Sequence, residues 1–233
     1  MKEILRDPLT LIFGLGFPTV LILLLSAIQA NVPVPLFEIE RLAPGMCVFG
    51  FSFMTLFSAT LIAKDRESAF LTRLYATPMR PVDFIIGYTL PILPIALAQS
   101  TVCYLTGIIL GMDVKLSILP SLLLSIPSAI FFISLGLLFG SILNQKQVGG
   151  ICGALLTNLT AWLSGLWFDL DLVGGAFKAI ASAMPFYHGV MIQTESYLGN
   201  LQGLLPSILL VFAYALAASI GAVLVFLRQM RKN

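Results

Sequence analysis

Long apolar runs separated by brief polar interruptions make up most of the chain. Six of them, at 9–30, 42–63, 84–112, 118–143, 148–168 and 204–227, reach the roughly 20 helical residues needed to cross about 30 Å of hydrocarbon. None carries Asp, Glu, Lys or Arg in its interior. Barrel strands would be about half as long and would alternate with polar positions, so the pattern predicts helices. The expected fold is all-α, with six transmembrane helices in one domain over residues 1–233.

Connections 31–41, 113–117 and 144–147 are short, and two are long. The first long one holds the charge-dense stretch KDRESAFLTRLYATPMRPVDFIIGY at 64–88. The second, 169–203, holds Asp169, Asp171, Lys178, His188 and Glu195. Its 176–184 and 186–198 portions predict two short helices, divided at Pro185 and stopped at Gly199.

Composition agrees with the pattern. Of 233 residues, 58% are hydrophobic and 10% charged, against about 25% charged for a soluble domain. The mean hydropathy is +0.99. No room is left for a separate globular domain.

The basic residues orient the chain. With the N-terminus inside, Lys2, Arg6, Lys64, Arg66, Arg73, Arg80, Lys146, Arg228, Arg231 and Lys232 are cytoplasmic, while Arg41, Lys115 and Lys178 are outside. Ten against three obeys the positive-inside rule and places both termini in the cytoplasm. The net charge of +2 is therefore a topology signal and implies no nucleic acid partner. The first run is not a cleaved signal peptide, because Glu3 and Asp7 interrupt its basic start and its apolar stretch exceeds about 15 residues. The expected location is the cell membrane, as a multi-pass protein of a bacterial plasma membrane.

Cys47, Cys103 and Cys152 all fall inside spans without paired spacing, and read as small packing residues. GxxxG spacings at Gly107/Gly111, Gly136/Gly140 and Gly149/Gly153 allow close helix approach, with packing inside one chain as the expected use. Pro91 and Pro94 are expected to kink the third helix. No internal repeat is visible.

The charged segment is the most informative part. As a helix over 65–77 it places Phe70, Leu71, Leu74 and Tyr75 on one apolar face. Asp65 and Glu67 lie near its N-terminal end, Arg73 and Arg80 near its C-terminal end, as the helix dipole favours. Pro78 excludes helical geometry at Thr77 and ends it. Two readings fit: a helix resting on lipid headgroups, or a docking helix whose apolar face meets a groove on a partner.

The segment resembles the loop between spans two and three in permeases of ATP-binding-cassette exporters of the type-2 superfamily. The residues that carry the resemblance are Arg66, Glu67, Ser68, Leu71, Leu74, Thr77, Pro78 and Gly87. Ala69, Phe70, Thr72 and Tyr88 depart from the family's usual Gly, Thr, Glu and Lys. Similarity extends to Arg6, Asp7 and Pro8 before the first span and to Pro185, Phe186 and Tyr187 after the fifth. Only Met1 to Asp7 precede Pro8, so the amphipathic helix that family members place there is expected to be short or partly missing.

The resemblance implies a coupling helix seated on a separate ATPase subunit. Phe70, Leu71, Leu74 and Tyr75 would supply packing, Arg66, Glu67 and Arg73 register, and Thr77 and Pro78 the stop. It also implies a second permease, identical or closely related, with the pathway along their interface. The cargo expected is an amphipathic drug or other small molecule, antibiotic, lipid or peptide, moved outward.

The chain has no G-x-x-x-x-G-K-[ST], so ATP and Mg would be held by the partner, and no cofactor or metal by this chain. A secondary transporter or channel is the alternative. It usually needs ionisable groups at mid-membrane, where this chain offers Gln99, Asn158 and hydroxyls. Gln99 and Asn158 are candidate pathway-lining residues, although such amides more often bond a neighbouring helix. An intramembrane enzyme is disfavoured by the lack of G-x-S-x-G and H-E-x-x-H and by a single histidine, His188.

Overall fold

A computed structural model describes residues 12–33, 37–68 and 81–230. Every regular element among them is helical. A π-helical turn, Ile12–Gly16, leads into α1, Phe17–Gln29. Then come α2, Ile39–Glu67, and α3, Pro81–Ile109. The fourth apolar run divides into α4, Ile118–Leu124, and α5, Ile126–Ile142. The fifth begins as α6, Gln145–Val148, widens into a π-helical stretch, Gly149–Leu156, and closes as α7, Thr157–Leu163. After it lie α8, Leu170–Val173, α9, Gly175–Ala183, and α10, Pro185–Leu198, before α11, Leu205–Met230.

Among the described residues, four helices are long and apolar enough to cross a membrane: Ile39–Glu67, Ile85–Ile109, Ile118–Ile142 and Leu205–Arg228. The described part of the first run, 12–29, and the fifth run as far as Leu163 are helical, but each contains a π-helical stretch. In the fifth, small residues such as Gly149, Gly150, Gly153 and Ala154 leave the wider turn uncrowded. The Thr157 hydroxyl donates to the Cys152 carbonyl, five residues back. The fifth helix also stops at Leu163, short of the expected 168. Ser164 accepts the Leu166 N–H on its side-chain oxygen, and Gly165 takes a φ of +71°, where a Cβ is disfavoured.

Two other boundaries differ from the hydropathy reading. Helix α2 extends beyond 42–63 to Ile39–Glu67, because charged residues outside hydrocarbon hydrogen-bond as good helix as apolar ones. The fourth run is notched at Ser125, ahead of Pro127, which has no N–H to give to the preceding turn. Ser125 keeps helical backbone angles and the Ala129 N–H donates to its carbonyl at 2.9 Å, so 118–142 continues as one span-length helix. Helix α3 remains one element through Pro91 and Pro94.

Helix α2 is the axis of the bundle. Within the window of each helix that could lie in hydrocarbon, 78% of α2 is buried inside the protein, against 22% of Leu205–Arg228 at the periphery. Helix α5 packs between α2 and α11, while α3, α10 and the 145–163 run also contact α2. The α2–α5 seam is close enough that only glycine fits on the α5 side. A Cβ on Gly140 would lie 2.5 Å from the Ala59 carbonyl oxygen, and one on Gly136 2.4 Å from that of Thr55. Across the seam the Thr55 hydroxyl donates to the Phe132 carbonyl at 2.7 Å and Ser58 to that of Ile133 at 3.2 Å. The Gly136/Gly140 spacing thus serves packing within the chain.

Candidate functional site

The charged segment begins where α2 ends, and the residues there are tied into the bundle. Asp65, Arg66 and Glu67 are consecutive, so on a helix they point in three directions. The Asp65 carboxylate accepts the Tyr88 hydroxyl of α3 at 2.8 Å. The Arg66 guanidinium donates to the Ser141 carbonyl in the last turn of α5 and to the Leu143 carbonyl just past it, the latter at 2.6 Å. The Glu67 carboxylate accepts the Gln145 N–H at the start of α6 at 3.2 Å. That helix start is closed a second way, since the Asn144 side chain accepts the Gln147 N–H and Gln147 accepts that of Asn144.

The charges suit the poles they meet. A helix C-terminus leaves carbonyls unpaired with partial negative charge, and an N-terminus leaves N–H groups with partial positive charge. Arg66 satisfies the first and Glu67 the second, on the two sides of one tight turn. Arginine suits the role because its planar fork can reach two oxygens at once.

Of the residues expected to couple to a partner, Arg66 and Glu67 are therefore engaged within the chain. Phe70, Leu71, Arg73, Leu74, Tyr75, Thr77 and Pro78 lie outside the described residues. The two amides separate clearly. Gln99 is wholly enclosed, its Nε2 donating to the Cys103 sulfur at 3.2 Å, with its amide against Gly50, where a Cβ would lie 2.1 Å from Nε2. Its Oε1 has no hydrogen-bond partner among the described residues. Asn158 is exposed on the outside of the bundle and donates to its own Ala154 carbonyl at 2.8 Å.

The opposite end of the bundle is organised around α10. The side chains of Tyr104 from α3, Ser121 from α4 and Gln193 from α10 meet in a buried cluster. Ser121 also donates to the Gln193 carbonyl at 3.1 Å. Nearby, Ser117 donates to the Tyr197 carbonyl, and the Tyr197 hydroxyl to the Asp113 carbonyl at 2.9 Å. Lys115 pairs with Glu40 at 3.1 Å and lies 4.8 Å above the Tyr197 ring centroid. The hydrogen bond to Glu40 holds the Lys115 ammonium above the ordinary lysine range. His188 contacts the Ser207 hydroxyl at 2.9 Å through Nδ1 and the Ser182 carbonyl at 2.8 Å through Nε2, joining α10 to α11 and α9.

Sequence reasoning missed the Tyr104–Ser121–Gln193 cluster and the intrachain role of Arg66 and Glu67. Polar residues inside apolar runs were the available signal for the first. For the second, nothing local distinguishes a charge that caps another helix from one that faces solvent.

A family model described as ABC-2 type transporter matches residues 1–198. No curated protein and no solved structure matches the chain. The family match covers most of the chain, and it selects a pump's membrane component over a secondary transporter or channel. Together with several apolar helices, it makes this a multi-pass membrane protein of the ABC-2 type transporter family, the membrane component of an ATP-binding-cassette transporter rather than its ATPase.

Proposed function

We propose that the chain is the permease subunit of an exporter, with six spans and both termini in the cytoplasm. It would carry an amphipathic small molecule, antibiotic, lipid or peptide outward. A separate ATPase, holding ATP and Mg, docks on the charged segment after α2. A second permease, identical or closely related, completes the pathway. The observation that carries this reading is the family match over 1–198, which includes the segment with Arg66, Glu67, Thr77 and Pro78.

Phe70, Leu71, Leu74 and Tyr75 are the apolar docking face, and Arg73 sets register. Asn158 is a pathway contact, because it is exposed on a bundle surface where a second permease could face it. Gln99, enclosed between α2 and α3, is assigned to holding those helices together.

Co-purification of the detergent-solubilised chain with an ATP-binding subunit tests the reading. Leu74→Ala is expected to weaken that association by about 1–3 kcal/mol, roughly 5- to 150-fold, as for an interface anchor. Unchanged association together with unchanged transport-coupled hydrolysis would refute the docking assignment.

A further inference from the structure

We propose that Arg66 and Glu67 are positioning residues which clamp the end of α2 to the α5–α6 turn, so that a push on residues 69–80 reaches two further membrane helices. This rests on the docking reading above. It departs from the simpler view in which both charges face the ATPase.

Three observations carry it. First, the Arg66 guanidinium is partly buried and has two carbonyls of the same region, Ser141 and Leu143, as acceptors. A side chain reserved for a soluble partner would not be spent on the end of its own α5. Second, Glu67 holds the Gln145 N–H, two residues beyond Leu143, so the pair grips the turn from both sides. Each charge meets the helix pole of opposite sign, and exchanging them would place like against like. Third, Asp65 reaches α3 through Tyr88, about two turns into the helix that follows 69–80. The helices on either side of that segment are thereby fixed to each other, and one of them also to the α5–α6 turn.

The mechanical consequence follows from geometry. Residues 69–80 join α2 to α3 covalently, and force on them moves those two helices directly. Without the clamp, α5 would follow through its seam with α2 alone, and the 145–163 run only through packing along α2. With it, their ends are displaced by hydrogen-bonded contacts at the point where force enters.

Amide hydrogen exchange of segment 143–148 reads the clamp, in the full chain reconstituted in phosphatidylcholine nanodiscs. Arg66→Met and Glu67→Ala should each speed exchange there by about tenfold, the effect of losing a charge-assisted hydrogen bond. Arg66→Lys should restore part of the protection. Wild-type exchange in Arg66→Met would overturn the inference.

In the complex with the co-purifying ATPase, ATP plus vanadate should change exchange at 143–148 in wild type. The same change should be absent in Arg66→Met, although that variant keeps its ATPase. Loss of the ATPase from Arg66→Met, as from Leu74→Ala, would make Arg66 a docking contact; the clamp reading would then fail while the proposed function stood. If wild type retains no ATPase, the docking reading fails and the transmission step with it, and the exchange of the isolated chain still decides whether the clamp exists.

Discussion

Adding one methyl group at Gly140 tests whether α2 and α5 are in backbone contact. In Gly140→Ala the new Cβ would lie 2.5 Å from the Ala59 carbonyl oxygen, 2.8 Å from its Cα and 3.0 Å from its carbonyl carbon. These are backbone atoms, so no rotamer change relieves the overlap. Restoring an ordinary contact near 3.3 Å requires the helices to part by about 0.8 Å. A gap of that size forfeits roughly a quarter of the dispersion in each affected contact, or about 1.5 kcal/mol over some 40 atom pairs at about 0.15 kcal/mol each. Stretching the Thr55–Phe132 hydrogen bond from 2.7 Å removes about 1 kcal/mol more. Alanine's better helix propensity returns about 0.5–1 kcal/mol. The net loss is about 2 kcal/mol, inside the range for overpacked cores.

Thermal unfolding in detergent, followed by survival of the monodisperse peak, should place Gly140→Ala roughly 4–8 °C below wild type on the scaling for chains of this length. Gly149→Ala is the matched control, because a Cβ there meets nothing within 4 Å. It should unfold no earlier than wild type. Ala59→Gly should fail to rescue Gly140→Ala, since the obstructing atoms at Ala59 are its backbone. Equal stability of Gly140→Ala and Gly149→Ala would refute the seam.

At the other end, Ser121→Ala removes a hydroxyl shared by Tyr104 and Gln193 and should destabilise the chain by about 1–3 kcal/mol, with faster exchange over 190–198 as α10 loosens. Unaltered exchange there would show that the cluster does not hold α10. The Glu40–Lys115 pair raises the lysine's pKa in the folded chain, so its contribution is complete below the unfolded value of about 10.4 and disappears as pH rises through the folded one. The stability gap between wild type and Lys115→Met should therefore be constant from pH 7 to 9 and close above about 10.4, and a gap that persists at higher pH would contradict this assignment.

Hydropathy located the helices well because partition into lipid and helix formation coincide over most of each run. It failed where the two part company. Residues 64–67 are too polar for hydrocarbon, yet they continue α2 because the backbone gains its hydrogen bonds in either solvent. Gly165 ends the fifth helix inside an apolar stretch because its backbone conformation, not its polarity, changes direction there. Contacts between distant positions were the least legible. Thr55 and Phe132 are 77 residues apart, as are Arg66 and Leu143, and a one-dimensional pattern gives no distance between them. The GxxxG spacing at 136/140 announced a close approach without naming Ala59 as the partner. Neither it nor its copies at 107/111 and 149/153 distinguishes the tight seam from open space, which are the outcomes at Gly140 and Gly149.

A transmission element must resist shear along its length as well as hold at its ends. Apolar side chains alone resist it poorly inside a membrane, where lipid offers them equivalent surroundings. The α2–α5 seam has the features that resist sliding. Gly136 and Gly140 let ridges of one helix sink against the backbone of the other, and Thr55 and Ser58 donate to carbonyls across the gap. Moving α5 by one residue along α2 would bring the Cβ of Phe139 or Ser141 to the place of Gly140, and that of Leu135 or Leu137 to the place of Gly136, where only hydrogen now fits. Every such register costs overlap that the present one avoids. A force delivered at Arg66 would therefore shift α2 and α5 as one body, because the seam at Gly140 and the clamp at Ser141 adjoin in the last turn of α5. Gly140→Ala combined with Arg66→Met should accordingly lose thermal stability non-additively, by more than about 0.5 kcal/mol from the sum, because Gly140 adjoins Ser141, whose carbonyl Arg66 holds; additive losses would refute the coupling.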